Sequence, residues 1–207
     1  PAEEIPASLA SCPPDLRAAL ETLIARLREA SAAQVPAERV TRFGDGAMIT
    51  QRWHPVSRVG LYAPGGKAAY PSSVLMNAVS AQAAGVKGLA LASPAQLDNR
   101  GRPHESVLWA AALVGVDEVY AVGGAGAIAA FAYGVPSIGL EPVDVVTGPG
   151  NVYVAAAKRA VTGLVGIDSE AGTTEILVIA DASADPEFGA ADLLSQAEHD
   201  EAAASVL

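Results

Sequence analysis

The sequence predicts an α/β protein built on an open parallel sheet. Short apolar segments alternate with helical segments, and three of the apolar segments run into glycine-rich turns, at positions 63–66, 123–126 and 148–151. Strands that are apolar on both sides belong to sheets with both faces covered, and such sheets are parallel. A mean hydropathy of +0.30 over 207 residues is typical of a folded chain with one large or two small domains.

The first part of the sequence predicts one long helix followed by extended segments. Leucine and isoleucine residues between positions 16 and 27 fall on one face of a helix that begins near Pro14 and ends near Ala33. Residues 39–42 and 47–54 have the composition of short extended segments.

Four strand–turn–helix units follow. The predicted strands cover 58–62, 88–93, 118–122 and 143–147, and the predicted helices 71–84, 104–115, 124–133 and 152–162. A strand over 175–180, a helix over 186–200 and the start of another strand over 204–207 come last. Because globular chains rarely end as they enter a strand, we expect the native chain to continue past Leu207. In an open parallel sheet, ligands bind at the carboxyl ends of the strands.

Charge and cysteine content restrict the partners. A formal net charge of −10 argues against a nucleic acid or an anionic membrane as partner, since both require a basic face. No apolar run reaches the roughly 18 residues that span a bilayer, and the first residues lack the basic start of a secretory signal. Cys12 is the only cysteine, so no disulfide forms within the chain, and we expect a cytoplasmic location.

The glycine-rich turns suit a nucleotide. Glycine lets backbone N–H groups approach a phosphate, and the N-terminus of the following helix favours negative charge. Tight turns are also a structural need of any α/β sheet, so this alternative stays open. Gly124–Ala129 formally matches the G-x-G-x-x-A dinucleotide fingerprint. Asp144 has the spacing of the acidic ribose partner but lies at the start of its strand, which makes a standard Rossmann site a weak interpretation.

One short segment has the residue types of a metal site. Gln196 and His199 are three residues apart on a predicted helix, so they share a face. Histidine is a common zinc ligand, whereas a carboxamide is an unusual one, and two ligands do not complete a tetrahedral site. The alternative is a solvated polar helix end. His54 and His104 are remote from this segment and are interpreted as surface residues.

Five segments together resemble the histidinol dehydrogenase family, whose members are NAD-dependent, zinc-binding enzymes of histidine biosynthesis. In chain order these segments are Arg58–Asn77, Ala121–Ala125, Thr147–Val154, Gly166–Gly172 and Leu194–Glu201. The resemblance is strong from Arg39 to Leu207 and looser before. It implies an aldehyde-dehydrogenase-like architecture. An NAD-binding Rossmann-like domain over 60–172 would be inserted into a truncated zinc/substrate domain formed by 1–59 and 173–207.

The resemblance also implies an activity, the oxidation of L-histidinol to L-histidine through the aldehyde, with two NAD⁺ reduced in turn. Zinc would hold the imidazole and amine of the substrate while a histidine base assists hydride transfer. A glutamate would then activate water to hydrate the aldehyde. The implied partners are this small-molecule substrate and a second copy of the full-length protein in a homodimer.

The family's cofactor contacts map onto three positions. Tyr62 and Asn151 match residues that contact NAD. Position 126 is Gly where the family usually has a Gln that contacts NAD, so that contact is lost or is replaced by backbone.

The family's substrate and metal contacts map onto three more positions. Thr174 stands where the family has Ser or Thr near the substrate, and Gln196 and His199 match zinc ligands that also contact the substrate. A catalytic Glu–His pair, an Asp zinc ligand and a C-terminal Glu and His are expected downstream of Leu207. No catalytic residue is therefore assigned in this chain, and we expect the chain alone to be inactive.

Two other interpretations remain. The chain could be a non-catalytic nucleotide-binding module, from a fragment or a truncated paralogue. It could also belong to another NAD(P) oxidoreductase that uses Gly124–Ala129 as a true Rossmann turn.

Overall fold

The computed structural model describes residues 4–65, 68–170, 174–199 and 203–207, in two compact units, Pro1–Glu170 and Ala171–Leu207. The helices of the first unit are α1 (Glu4–Ser8), α2 (Pro14–Gln34), α3 (Pro71–Ala83), α4 (Glu105–Leu113), α5 (Gly124–Tyr133) and α6 (Val152–Val161). Its strands are β1 (Arg39–Arg42), β2 (Met48–Gln51), β3 (Arg58–Tyr62), β4 (Gly88–Ser93), β5 (Glu118–Ala121), β6 (Val145–Thr147) and β7 (Gly166–Ile167). Short 3-10 helices cover Leu9–Ser11 and Pro136–Ile138.

Five strands form the parallel sheet that the sequence predicts. Their order is β5-β4-β3-β6-β7, and every neighbouring pair is parallel. The chain builds the sheet outward from β3 to β5, then crosses back over β3 to add β6 and β7 on its other side. The strand order therefore reverses between β3 and β6, which makes the gap between their carboxyl ends the topological switch point of the sheet.

The two faces of the sheet carry separate apolar cores. Alternate residues of each strand point to opposite faces, so Leu61 packs with α3 and α4 while its neighbour Tyr62 packs with α5 and α6. Leu20 and Ile24 of α2 join the first of these cores and add an outer helical layer to that face. The expected pairing of residues 1–59 with 173–207 in a second domain stays a prediction.

Smaller elements complete the two units. β1 and β2 form an antiparallel hairpin whose side chains are mostly exposed. In the second unit β8 (Glu175–Leu177) pairs in parallel with β9 (Ala204–Val206), and α7 (Pro186–His199) connects them. Within the described ranges, no helix combines the length and the apolar character that crossing a membrane requires.

Gly60 lets helix α5 approach the centre of the sheet. A Cβ at this position would lie 2.6 Å from the ring of Phe131, a fully buried side chain of α5. The ring thus occupies the space above β3 that any larger residue would fill.

We expect Gly60→Ala to destabilise the protein by about 1–3 kcal/mol, the usual cost of overpacking a core. Phe131→Leu should also destabilise it, by removing ring atoms from the core. The double variant should lose less stability than the sum of the losses in the two single variants, because the smaller leucine makes room for the methyl group of alanine. Urea denaturation of the four proteins gives the free energies of unfolding, and additive losses would contradict the contact.

Candidate functional site

The turn after β6 passes very close to the end of β3. Gly148 follows the last residue of β6 and has a φ of +116°, and a Cβ there would overlap the carbonyl oxygen of Tyr62. Only glycine fits this position, because both its backbone conformation and its surroundings exclude a side chain. The two strand ends that define the switch point are therefore in direct backbone proximity.

The side chain of Tyr62 connects a second glycine-rich turn to the same place. The residue is 4% exposed, and its hydroxyl oxygen accepts a hydrogen bond of 3.0 Å from the amide of Gly124 at the start of α5. The turns at 123–126 and 148–151 thus lie beside the end of β3. The predicted turn at 63–66 starts at that same strand end. Its last residue, Gly66, and the following Lys67 lie outside the described part of the chain.

Gly124 and Gly126 begin α5 in different ways. Gly124 has a φ of +64°, whereas Gly126 is outside the positive-φ region. A Cβ at either residue would have open space around it. Position 126 therefore has room for a side chain such as the glutamine that the resemblance leads us to expect there.

Asn151 orders the start of α6. Its Oδ1 atom accepts hydrogen bonds of 3.1 Å from the amides of both Tyr153 and Val154, which makes it the N-cap of this helix. The cap uses only the oxygen of the carboxamide, and it leaves the two Nδ2 donors for another partner.

Buried hydroxyl groups at this edge fit a polar ligand. Thr147 Oγ1, at the end of β6, and Ser93 Oγ, at the end of β4, are buried and have no hydrogen-bond partner among the residues that the structure describes. Buried polar atoms are seldom left without a partner in proteins. Together with the glycine-rich turns, these two atoms make the switch point a suitable place for a nucleotide such as NAD.

An ion pair between a buried lysine and a partly exposed aspartate, which the sequence did not predict, supports the turn at Gly148. Lys158 of α6 is 1% exposed, and its Nζ atom lies 2.5 Å from Asp168 Oδ1 and 2.5 Å from the carbonyl oxygen of Gly148. Helical lysines are usually solvated, so the residue type alone gives no indication that this ammonium group is buried. The available signal was its place in the apolar stripe formed with Val154 and Val161.

The expected zinc and substrate residues of the second unit are partly assembled. Gln196 Nε2 donates to the carbonyl oxygen of Thr174 at 2.7 Å and to its hydroxyl at 2.8 Å. A carbonyl oxygen can only accept, so this contact assigns the amide nitrogen to Thr174 and leaves Gln196 Oε1 available. His199 lies on the same helix, and only its backbone belongs to the described part of the chain.

These residues fit part of a metal site. Gln196 and the imidazole of His199 would supply two ligands, and a closed zinc site takes four. In the described ranges, no cluster of three or more His, Cys, Asp or Glu side chains is arranged to hold a metal ion.

The remaining candidates have structural roles or exposed positions. Asp144 accepts hydrogen bonds of 2.8 Å from the amides of Ser57 and Arg58, so it caps the amino end of β3 and is remote from a ribose at the carboxyl edge. His104 is the N-cap of α4, where its ring accepts from the Ser106 amide at 3.2 Å. His54 is exposed, as the sequence predicted.

Comparisons with known proteins identify the same family as the sequence motifs do. A family model described as histidinol dehydrogenase matches residues 1–207. The histidinol dehydrogenases of Leifsonia xyli subsp. xyli and Corynebacterium diphtheriae are 67% and 57% identical to the chain, which they match over its whole length. The crystal structure of histidinol dehydrogenase from Elizabethkingia anophelis superimposes with a TM-score of 0.89 at 37% identity, over 98% of this chain.

Each of these proteins is longer than the chain. The matched region is 48% of the Leifsonia protein, 47% of the Corynebacterium protein and 46% of the Elizabethkingia chain. The chain therefore spans about half the length of the relatives it matches.

The two glycines of α5 should respond oppositely to the same substitution. We expect Gly124→Ala to destabilise the protein by about 1–2 kcal/mol, because alanine is strained at positive φ. Gly126→Ala should stabilise it by about 0.5–1 kcal/mol, because alanine loses less backbone entropy in a helix. Neither added methyl group would contact a neighbouring residue, so a difference between the two variants reports on backbone conformation and not on steric clash. Thermal unfolding measures both changes, and shifts of equal sign would contradict the assigned backbone conformations.

Proposed function

Since the chain belongs to the histidinol dehydrogenase family, we propose that the complete protein oxidises L-histidinol to L-histidine through the aldehyde, with NAD as the oxidant. The observation that carries this proposal is the convergence of two glycine-rich turns on Tyr62 at the switch point of the sheet. A nucleotide cofactor binds at such a point in open α/β sheets.

We assign the cofactor contacts to Tyr62, Gly126 and Asn151. When bound, NAD⁺ supplies a hydride acceptor for each of the two oxidation steps. Asn151 holds the start of α6 and presents its Nδ2 donors, and Tyr62 fixes the start of α5 through Gly124. At position 126 the missing side chain leaves open space, so only backbone contributes there and binding is expected to be weak.

We assign zinc and substrate binding to Gln196 and His199, with Thr174 beside the substrate. The contact with Thr174 orients the Gln196 carboxamide, so that its oxygen rather than its nitrogen can face a metal ion. The other two ligands and the catalytic Glu–His pair would come from the remainder of the complete protein. The proposed arrangement also includes a homodimer, a cytoplasmic location and an insertion of residues 60–172 into the zinc/substrate domain.

A substitution series at Asn151 tests the cofactor assignment in the complete protein. Asn151→Asp keeps the helix cap but replaces two donors with a negative charge, so NAD⁺ affinity should fall at least about tenfold with no loss of thermal stability. Asn151→Ala should lose both affinity and about 1 kcal/mol of stability, since the cap is lost as well. Calorimetric titration with NAD⁺ and thermal unfolding give the two quantities. If both variants bind NAD⁺ as well as the parent does, the cofactor lies elsewhere.

The activity is tested by comparing residues 1–207 with the complete protein. We expect the purified 1–207 chain to hold no stoichiometric zinc and to form no NADH from histidinol, because it supplies at most two of four ligands and lacks the catalytic pair. The complete protein should contain zinc and turn over. Metal analysis and absorbance at the NADH band measure both properties.

Matched histidine variants of the complete protein control this comparison. His199→Ala should abolish both zinc binding and turnover, whereas His54→Ala, which removes an exposed imidazole, should change neither. Zinc and turnover in the 1–207 chain would show instead that the site uses residues assigned no metal-binding role above, His54 or His104 among them.

A further inference from the structure

The Lys158–Asp168 pair binds both backbone polar groups of one residue, Gly148. Asp168 Oδ2 accepts a hydrogen bond of 2.8 Å from the Gly148 amide, and Lys158 Nζ donates to the Gly148 carbonyl oxygen at 2.5 Å. A third contact of 2.5 Å joins the ammonium group to Asp168 Oδ1. The three contacts close a ring around the first residue of the 148–151 turn.

The sequence of this turn favours a different backbone conformation from the observed one. Gly148-Pro149-Gly150-Asn151 has proline and glycine at the second and third positions, the pattern of a type II β-turn. Such a turn is closed by a hydrogen bond from the Asn151 amide to the Gly148 carbonyl oxygen. In the structure that oxygen accepts from Lys158, and Gly150 is outside the positive-φ region that the type II turn needs.

Three backbone amides of the turn and of the helix start are free donors, and a type II turn would occupy one of them, the Asn151 amide. Within the described part of the chain, the amides of Gly150, Asn151 and Val152 have no hydrogen-bond acceptor. Pro149 has no N–H, and the Gly148 amide is taken by Asp168. The three free amides lie where β6 ends and α6 begins, at the switch point.

We propose that the Lys158–Asp168 pair positions the turn for the nucleotide, by drawing the Gly148 carbonyl away from the turn's own amides. This role rests on the function proposed above, because the nucleotide is the NAD of that function. Lys158 and Asp168 are positioning residues, since they act through the backbone of Gly148 and are not assigned a contact with the cofactor. An ion pair between a buried lysine and a partly exposed aspartate is weak evidence for a stabilising role alone, because desolvation of the ammonium group offsets much of the attraction.

The test uses the complete protein with Lys158→Met, a substitution of similar length without the charge. We expect the dissociation constant and the KM for NAD⁺ to rise about tenfold or more, with the KM for histidinol within about twofold of the parent value. Hydrogen exchange at the Asn151 amide should become slower, because the released Gly148 carbonyl can accept from it. If Lys158 had only a structural role, the substitution would leave the exchange rate of the Asn151 amide unchanged. It would also not raise the KM for NAD⁺ without raising the KM for histidinol.

Two further variants separate positioning from stability. Val107→Ala removes part of a fully buried side chain on the opposite face of the sheet, so it should lower the melting temperature without changing NAD⁺ affinity. The Lys158→Met/Asp168→Asn double variant leaves no uncompensated charge, and the new carboxamide oxygen can still accept from the Gly148 amide as the Asp168 carboxylate does. This variant is expected to fold even if the single one does not, and to retain the loss of NAD⁺ affinity.

The outcomes are distinct. NAD⁺ affinity within about twofold of the parent value in a folded Lys158→Met or double variant overturns the positioning role and leaves the proposed function intact. A parent protein that binds no NAD⁺ overturns the proposed function and, with it, the nucleotide part of this inference. Unchanged exchange at Asn151 overturns the competition between Lys158 and the turn, whatever the cofactor does.

Discussion

The close approach of Gly148 to the Tyr62 backbone is the constraint on which the candidate site depends. It brings the ends of β3 and β6 together at the point where the strand order reverses, and it permits no side chain at position 148. Tyr62 then extends the contact to α5 through the Gly124 amide, and α6 returns Lys158 to the Gly148 carbonyl. Two helix N-termini and two strand ends are thus fixed relative to one another by a few contacts around a single glycine. A preorganised site of this kind lowers the entropic cost of binding a nucleotide.

Much of the fold could be predicted from the sequence because its signals are local. Apolar segments of five or six residues, each separated from the next by a helix, predict a covered parallel sheet, and the structure confirms it. Strand β7 was not predicted because its two residues, Gly166 and Ile167, are too few to form a pattern. Helix α1 was not predicted because a helix of five residues shows no periodicity. The apparent start of β6 at residue 143 was wrong by two positions, since Asp144 uses its carboxylate to cap β3 before the strand begins.

The candidate site was predictable only in part, because its residues act through contacts that are distant in sequence. The glycine-rich turns and Asn151 stand out as motifs, whereas the partner of Gly148 is a lysine ten residues away and an aspartate twenty residues away. Pairing of this kind depends on the crossing of α6 over the sheet, and no local pattern encodes it. A charged residue at an apolar position of an amphipathic helix is the one signal that the sequence offered, and it indicates a buried, paired charge without identifying the partner.

In the proposed zinc site, the contact between Gln196 and Thr174 would account for a carboxamide where zinc sites usually have a charged or aromatic ligand. The Thr174 carbonyl oxygen offers only acceptor capacity, so the side chain facing it has to donate. A glutamate at position 196 would place a carboxylate against this carbonyl, and the repulsion would turn it away from the helix face that it shares with His199. The amide satisfies the carbonyl and still presents an oxygen, but that oxygen is neutral. In the proposed zinc site the charge of the ion would therefore have to be offset by an acidic ligand from the remainder of the complete protein, which is the role that the family resemblance gives to an aspartate beyond Leu207.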